Sequence, residues 1–212
     1  MKDTMERTEW ETGYPGLRVL HVDNHLLVVR KPAGLLSQAD HTGDPDVLTV
    51  CKAWVKAHYG KPGNVFLGLV HRLDRPVAGV MVLARTSKAA SRLSQQIRER
   101  TVGKRYLAVV EGTPPEAMEL RGVIRKDSSR NVSRLEGGGK AEGAGGGTAQ
   151  DESGGKAAVL RFRRLAAAGG ASLLRVELET GRAHQIRVQL SEAGWPILGD
   201  RKYGSSTLLD HG

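Results

Sequence analysis

Cysteine is almost missing from this chain: Cys51 is the single one in 212 residues. No intrachain disulfide can form and no CxxC zinc pattern exists, which fits a reducing compartment. Aromatic residues make up only 4% against 39% hydrophobic overall, so the core is expected to be aliphatic. No apolar run approaches the roughly 20 residues of a membrane-spanning helix. The first residues, MKDTMERTEWETGYPG, lack the apolar stretch of a secretory signal. They carry Asp3, Glu6, Glu9 and Glu11, unlike an acid-poor transit peptide. A cytoplasmic protein with no membrane contact is the expectation. Acids are also scarce between residues 71 and 105. Asp74 and Glu99 stand alone there against Arg72, Arg75, Arg85, Lys88, Arg92, Arg98, Arg100, Lys104 and Arg105.

What the chain has in excess is positive charge, with a formal net of +9. That balance favours an anionic partner, nucleic acid first, although a solvated basic face has the same composition. Residues 1–16 read as a tail and 17–212 as a single domain. Two β-branched runs, LRVLHVD and LLVVRK, flank a turn at Asp23-Asn24-His25 and predict a hairpin that ends at Lys31-Pro32-Ala33-Gly34. The spacing of Leu48, Cys51, Val55 and Tyr59 predicts a helix over 48–60, and that of Ala89, Leu93 and Ile97 another over 86–100, capped by Thr86 or Ser87. VMVLAR, KRYLAVVEG (104–112), RGVIRK (121–126), VLRFRRL (159–165) and LLRVELET (173–180) read as strands. AHQIRVQLSEAG (183–194) reads as a third helix with Ile186, Leu190 and Ala193 inward. Between them lies a Gly/Ala-rich insert, about 136–157, with little to bury and the composition of a flexible loop. Its GGGK and SGGK pieces lack the spacing of a phosphate-binding loop. Many strands, three helices and no regular alternation predict an α+β fold with a mixed, mainly antiparallel sheet.

Three groups of residues could carry chemistry. Asp74, in VHRLDRPVAGV, sits between Arg72 and Arg75. It reads as a salt-bridged turn residue or, its ionised form favoured by the arginines, as a nucleophile. Tyr106 follows the basic Lys104-Arg105 and reads either as an ordinary strand aromatic or as a ring on which a base stacks. ETGRAHQIR (179–187) places Arg182, His184, Gln185 and Arg187 at a helix start, which is a solvated cap or a set of donors for phosphate and base edges. A metal site on His71, Asp74 and His184 has no supporting cysteine or glutamate.

Taken together, LLVVRKPAGLL (26–36), HRLDRPVAGVMVLART (71–86), KRYLAVVEG, ETGRAHQIRVQL and GDRKYG (199–204) resemble the RluA-type family of RNA pseudouridine synthases over roughly residues 17–204. The resemblance implies a central RNA-binding cleft and a reaction without cofactor or metal. Uracil leaves its ribose, turns and rejoins through carbon 5, in ribosomal or transfer RNA. It implies Asp74 as the catalytic aspartate, acting on the ribose, on the uracil ring or toward a glycal-like intermediate. Tyr106 is then the residue packed on the target base, and Arg187 the partner of Asp74. Arg72 holds the flipped nucleotide or fills its place, and Arg75, Lys104, Arg105, Arg182, His184 and Gln185 contact substrate. Pro76, Val77, Ala78 and Ala183 depart from the family pattern, in which hydroxyl residues stand at 77, 78 and 183. With only a short stretch before residue 17, no accessory S4-type domain is expected, and a monomer is expected. A catalytically silent RNA-binding module on the same fold is the alternative; a metal hydrolase is the third reading.

Overall fold

The computed structural model describes residues 9–127, 132–136 and 155–207. They form two compact units, the first ending at Glu99 and the second beginning at Arg100, each with its own five-stranded sheet and core. The expectation of an α+β architecture holds, and every strand pairing within the two sheets is antiparallel. Residues 137–154 of the Gly-rich insert lie outside the described residues.

In the first unit β1 (Trp10–Glu11), β2 (Arg18–Val22), β3 (Leu26–Lys31), β4 (Gly68–Leu69) and β5 (Gly79–Ala84) assemble in the order β1-β2-β3-β5-β4. Trp10 and Glu11 pair with Val19 and Arg18, so part of the stretch read from sequence as a tail is an edge strand. The period-2 pattern of β3 puts Leu27, Val29 and Lys31 on one face, all fully buried, opposite Leu83, Met81 and Gly79 of β5. Each such aliphatic side chain contributes roughly 1.5–3 kcal/mol on burial; a lysine in that row is the exception that needs explaining. Helix α1 (Val47–His58) starts at Asp46, whose carboxylate accepts from the Thr49 N–H at 3.0 Å. It buries Val47, Cys51, Trp54 and Val55, a stripe displaced from the expected one: Tyr59 lies outside the helix and 43% exposed. Helix α2 (Ser87–Arg98) is capped by Thr86, as expected, through the Ala89 N–H at 3.1 Å.

The second unit carries β6 (Lys104–Glu111), β7 (Ala117–Asp127), β8 (Val132–Glu136), β9 (Lys156–Ala168) and β10 (Ala171–Leu178) in the order β6-β10-β9-β7-β8. Alternation sends Ala108, Val110, Leu174 and Val176 inward, where they meet Leu190 of α3 (Gln185–Glu192). A short 3-10 turn, Arg201–Tyr203, follows and buries the Tyr203 ring. Among the described residues no helix is long and apolar enough to cross a membrane.

Candidate active site

Asp74 sits on the loop between β4 and β5, and the main chain on both sides of it is tied down. Ser37 Oγ donates to the Leu73 carbonyl at 2.6 Å and accepts from the Leu73 N–H at 3.1 Å. The Arg75 carbonyl accepts from the Gly34 N–H at 2.8 Å and from Lys31 Nζ at 3.1 Å. Gly34 can serve there because its φ of +82° lies in the left-handed region that glycine occupies without strain. Residue 74 is thus clamped between two anchored neighbours. A carboxylate needs this kind of anchoring if it is to meet a substrate in one geometry.

Lys31 is the residue that motif reading missed. Its side chain is fully buried, and Nζ also donates to the carbonyls of Pro32 at 2.9 Å and Leu35 at 2.7 Å, so all three ammonium hydrogens have acceptors. Burial pushes its pKa down to about 8, opposed by the negative charge of Asp74 nearby. The available signal was a lysine in phase with Leu27 and Val29 on the buried face of β3.

The arginines flanking Asp74 behave differently from each other. Arg72 is exposed. Arg75 is committed to the loop: its Nε donates to the Gly34 carbonyl at 3.0 Å and its Nη1 to Asp44 Oδ2 at 2.7 Å. The guanidinium read as a substrate contact therefore helps to hold the loop itself. His71 Nε2 accepts from the Val82 N–H at 3.0 Å, which requires an unprotonated nitrogen, and burial lowers its pKa. It is a structural acceptor. Among the described residues no group of three or more His, Cys, Asp and Glu could hold a metal ion.

In the second unit Tyr106 lies on β6 opposite Val176 and packs, half-buried, against the core beneath α3. Lys104, two residues earlier, shares its face. The Lys104 pKa is lowered by burial and by the nearby positive charges of Arg100 and Arg182. Arg105 points to the other face, toward Glu177 at 3.6 Å, so the strand separates it from Tyr106.

The 179–187 segment is more internal than it reads. Gln185 is 2% exposed. Its amide oxygen accepts from Thr180 Oγ1 at 2.8 Å and from the Arg182 N–H at 3.0 Å, while Nε2 donates to the Val159 carbonyl at 3.0 Å. An amide so enclosed shapes the loop and has no surface to offer an RNA, contrary to its reading as a substrate contact. His184 adopts a left-handed conformation, φ 55°, and its Nδ1 lies 2.6 Å from the Tyr203 hydroxyl. That hydroxyl accepts from the Ser133 N–H at 2.8 Å, which leaves its own proton for Nδ1. Arg187 grips Asp200 with two bonds, Nε to Oδ2 at 2.6 Å and Nη2 to Oδ1 at 2.7 Å, and stacks over the Tyr203 ring at 4.8 Å. These bonds use two of the five guanidinium donors. Asp200 and Tyr203 belong to GDRKYG, to which motif reading assigned no role.

Residues 25–192 match the family model described as RNA pseudouridylate synthase. The ribosomal large subunit pseudouridine synthase D of Zymomonas mobilis is 33% identical over 201 residues, covering 92% of this chain and 58% of that protein. The protein of the same name from Xylella fastidiosa is 35% identical, covering 92% of this chain and 54% of that one. Among solved structures, human RNA pseudouridylate synthase domain containing 4 aligns with a TM-score of 0.72 and 28% identity over 92% of this chain and 73% of that chain. The chain belongs to the RNA pseudouridylate synthase family. It spans little more than half the length of those two curated relatives, 58% and 54%.

Proposed function

We propose that the protein isomerises uridine to pseudouridine in ribosomal or transfer RNA, with Asp74 as the catalytic carboxylate. The observation that carries this reading is the clamp on Leu73 and Arg75 within a family-matched sequence: the fold holds one acidic residue in place on an exposed, basic loop. The bond from C1′ to N1 of uracil breaks and a bond from C1′ to C5 forms. The C5 hydrogen leaves as a proton and N1 gains one, so reactant and product have the same composition and no redox partner is required. The base must first leave its stack. Arg72 is the side chain proposed to hold or replace it, Tyr106 to pack on the ring and relay the C5 proton, and Arg187 to pair with Asp74. The basic composition supports attraction of the RNA backbone.

The test is to incubate the full chain with unmodified ribosomal and transfer RNA transcripts, digest to nucleosides and separate uridine from pseudouridine by chromatography. Wild type should form pseudouridine, and Asp74→Asn should form none while its RNA affinity stays close to wild type. RNA binding by wild type with no pseudouridine on either transcript would overturn the proposal in favour of a silent binding module.

A further inference from the structure

Within the second unit an open cavity of about 340 Å³ lies beside the 181–183 loop, and none of its lining residues is one of the three proposed catalytic groups. Its volume is within the range of small-ligand sites, roughly 300–1,000 Å³, but its chemistry is unlike theirs. The lining has one large aliphatic side chain, Ile124, and four cations: Arg125, Lys126, Lys156 and Arg182. No carboxylate is among the described lining residues.

The register of the sheet explains why the two lysines meet. Ile124 and Lys126 are two apart on β7 and share a face. Lys126 is paired across the ladder with Ser133 of β8, and Ile124 with Lys156 of β9. Paired residues project to the same side, so both lysines rise from one face of the sheet. The opposite wall is fixed in place. Ser133 Oγ donates to the Ala183 carbonyl at 2.8 Å, and Arg182 Nε donates to the Ala157 carbonyl at 2.9 Å. Arg125, between Ile124 and Lys126, projects to the opposite face of β7 and is engaged there by Glu136 at 3.0 Å. Among the described residues no carboxylate pairs with Lys126, Lys156 or Arg182.

The positive strip continues past the cavity. Lys104 Nζ approaches Gly181 so closely that a Cβ there would sit 3.4 Å away. Arg100 and Lys104 stand close enough to Arg182 that these charges disfavour one another. Arg100 pairs with Glu179 at 3.1 Å, but Lys126, Lys156 and Arg182, gathered with no matching acid among the described residues, gain when an anion neutralises them.

We infer that this cavity is a phosphodiester-binding site, in which Lys126, Lys156 and Arg182 hold backbone phosphates of the RNA strand. The inference rests on RNA being the substrate, as proposed above. An open, almost wholly cationic hollow suits a polyanion that enters and leaves along its length. It positions the strand and reads no base.

The test is fluorescence anisotropy with a labelled, unmodified tRNA transcript over a series of salt concentrations. The sequence-independent electrostatic contribution appears with any structured RNA. Lys126→Gln with Lys156→Gln should lower the slope of log affinity against log salt by about 1.5, close to one released counterion per lysine. A control of equal charge loss, Lys56→Gln with Lys61→Gln on the exposed surface of the first unit, should retain the wild-type slope. Both pairs replace exposed side chains, so the fold is kept, which circular dichroism checks. A wild-type slope in the cavity variant overturns the inference, and so does an equal fall in both variants, which would mean net charge alone. The pseudouridine assay separates the two proposals. Product from wild type with no slope change in the cavity variant defeats the cavity alone. A slope change without product from wild type defeats the proposed reaction and leaves the cavity standing.

Discussion

Lys31 Nζ donates to the carbonyl oxygen of Arg75 at 3.1 Å, across 44 residues of sequence, and so ties the buried end of β3 to the residue after Asp74. Removing the ammonium by Lys31→Met leaves the Leu35 and Pro32 carbonyls without this donor, at a cost of about 2 kcal/mol after the relief of burying a charge is set against it. Urea unfolding measures the loss. The proposed isomerisation should fall further than stability does, because Asp74 loses one of its anchors.

The same lysine makes stability depend on alkaline pH in an unusual direction. Its folded pKa is lowered to about 8, below the ordinary 10.5. Between those values the unfolded chain binds the proton and the folded chain does not, so raising the pH favours the fold. The stability of wild type relative to Lys31→Met should therefore grow from pH 8 to pH 10.5, by at most about 3 kcal/mol. A difference that shrinks over this range would show that the folded site holds the proton.

Asp200 is the carboxylate that grips Arg187, and its side chain is 8% exposed. Asp200→Ala leaves a mostly buried guanidinium without this counter-ion and should cost about 3 kcal/mol in urea unfolding. Asp200→Asn keeps the shape and should cost less. Both should slow the proposed isomerisation, because the arginine loses its orientation.

Gln185 separates a structural role from a substrate role. Gln185→Leu strands the Arg182 N–H and takes one bond each from the Thr180 hydroxyl and from the Val159 carbonyl, which keeps the Glu179 N–H at 3.2 Å, and should cost about 2 kcal/mol. At a temperature where the variant is folded, its RNA affinity should remain near that of wild type. Weak RNA binding with unchanged stability would restore the reading of Gln185 as a substrate contact.

Tyr106→Phe keeps the ring and removes the hydroxyl. If the hydroxyl relays the C5 proton, single-turnover rate should fall at least tenfold while RNA affinity changes less than twofold, about 0.4 kcal/mol. Equal losses in rate and affinity would assign Tyr106 to stacking alone.

Glu111 accepts from the Ser205 hydroxyl at 2.6 Å and from the Thr207 N–H at 3.0 Å, and these bonds, the hydroxyl first, lower its pKa to about 2. A carboxylate held below its ordinary 4.5 stabilises the fold above that value, and the contribution is lost as pH falls toward 2. Glu111→Gln should flatten the acid limb of a stability profile between pH 5 and pH 2. An unchanged profile would show that the 205–207 segment does not depend on this charge.

The sequence by itself determined the longer regular elements and the motif, while the short strands β1, β4 and β8 went unread. A β-branched run marked β3, a short apolar run β5 and alternation β6 and β10; Thr86 or Ser87 marked the start of α2, and HRLD with GRAHQIR carried the family resemblance. These are local properties, written in the order of side chains along a few turns or pleats. The tertiary structure decided what each polar group does. Lys31 and Gln185 look solvent-facing in a string of letters. They are buried because acceptors from distant segments, the Arg75 carbonyl for one and the Val159 carbonyl for the other, are brought against them. Arg75 turns to Asp44, and Arg187 takes Asp200. A buried donor or charge must find a partner wherever the fold supplies one. Which partner that is depends on the packing of strands and loops far apart in the chain, and no spacing within a motif encodes it.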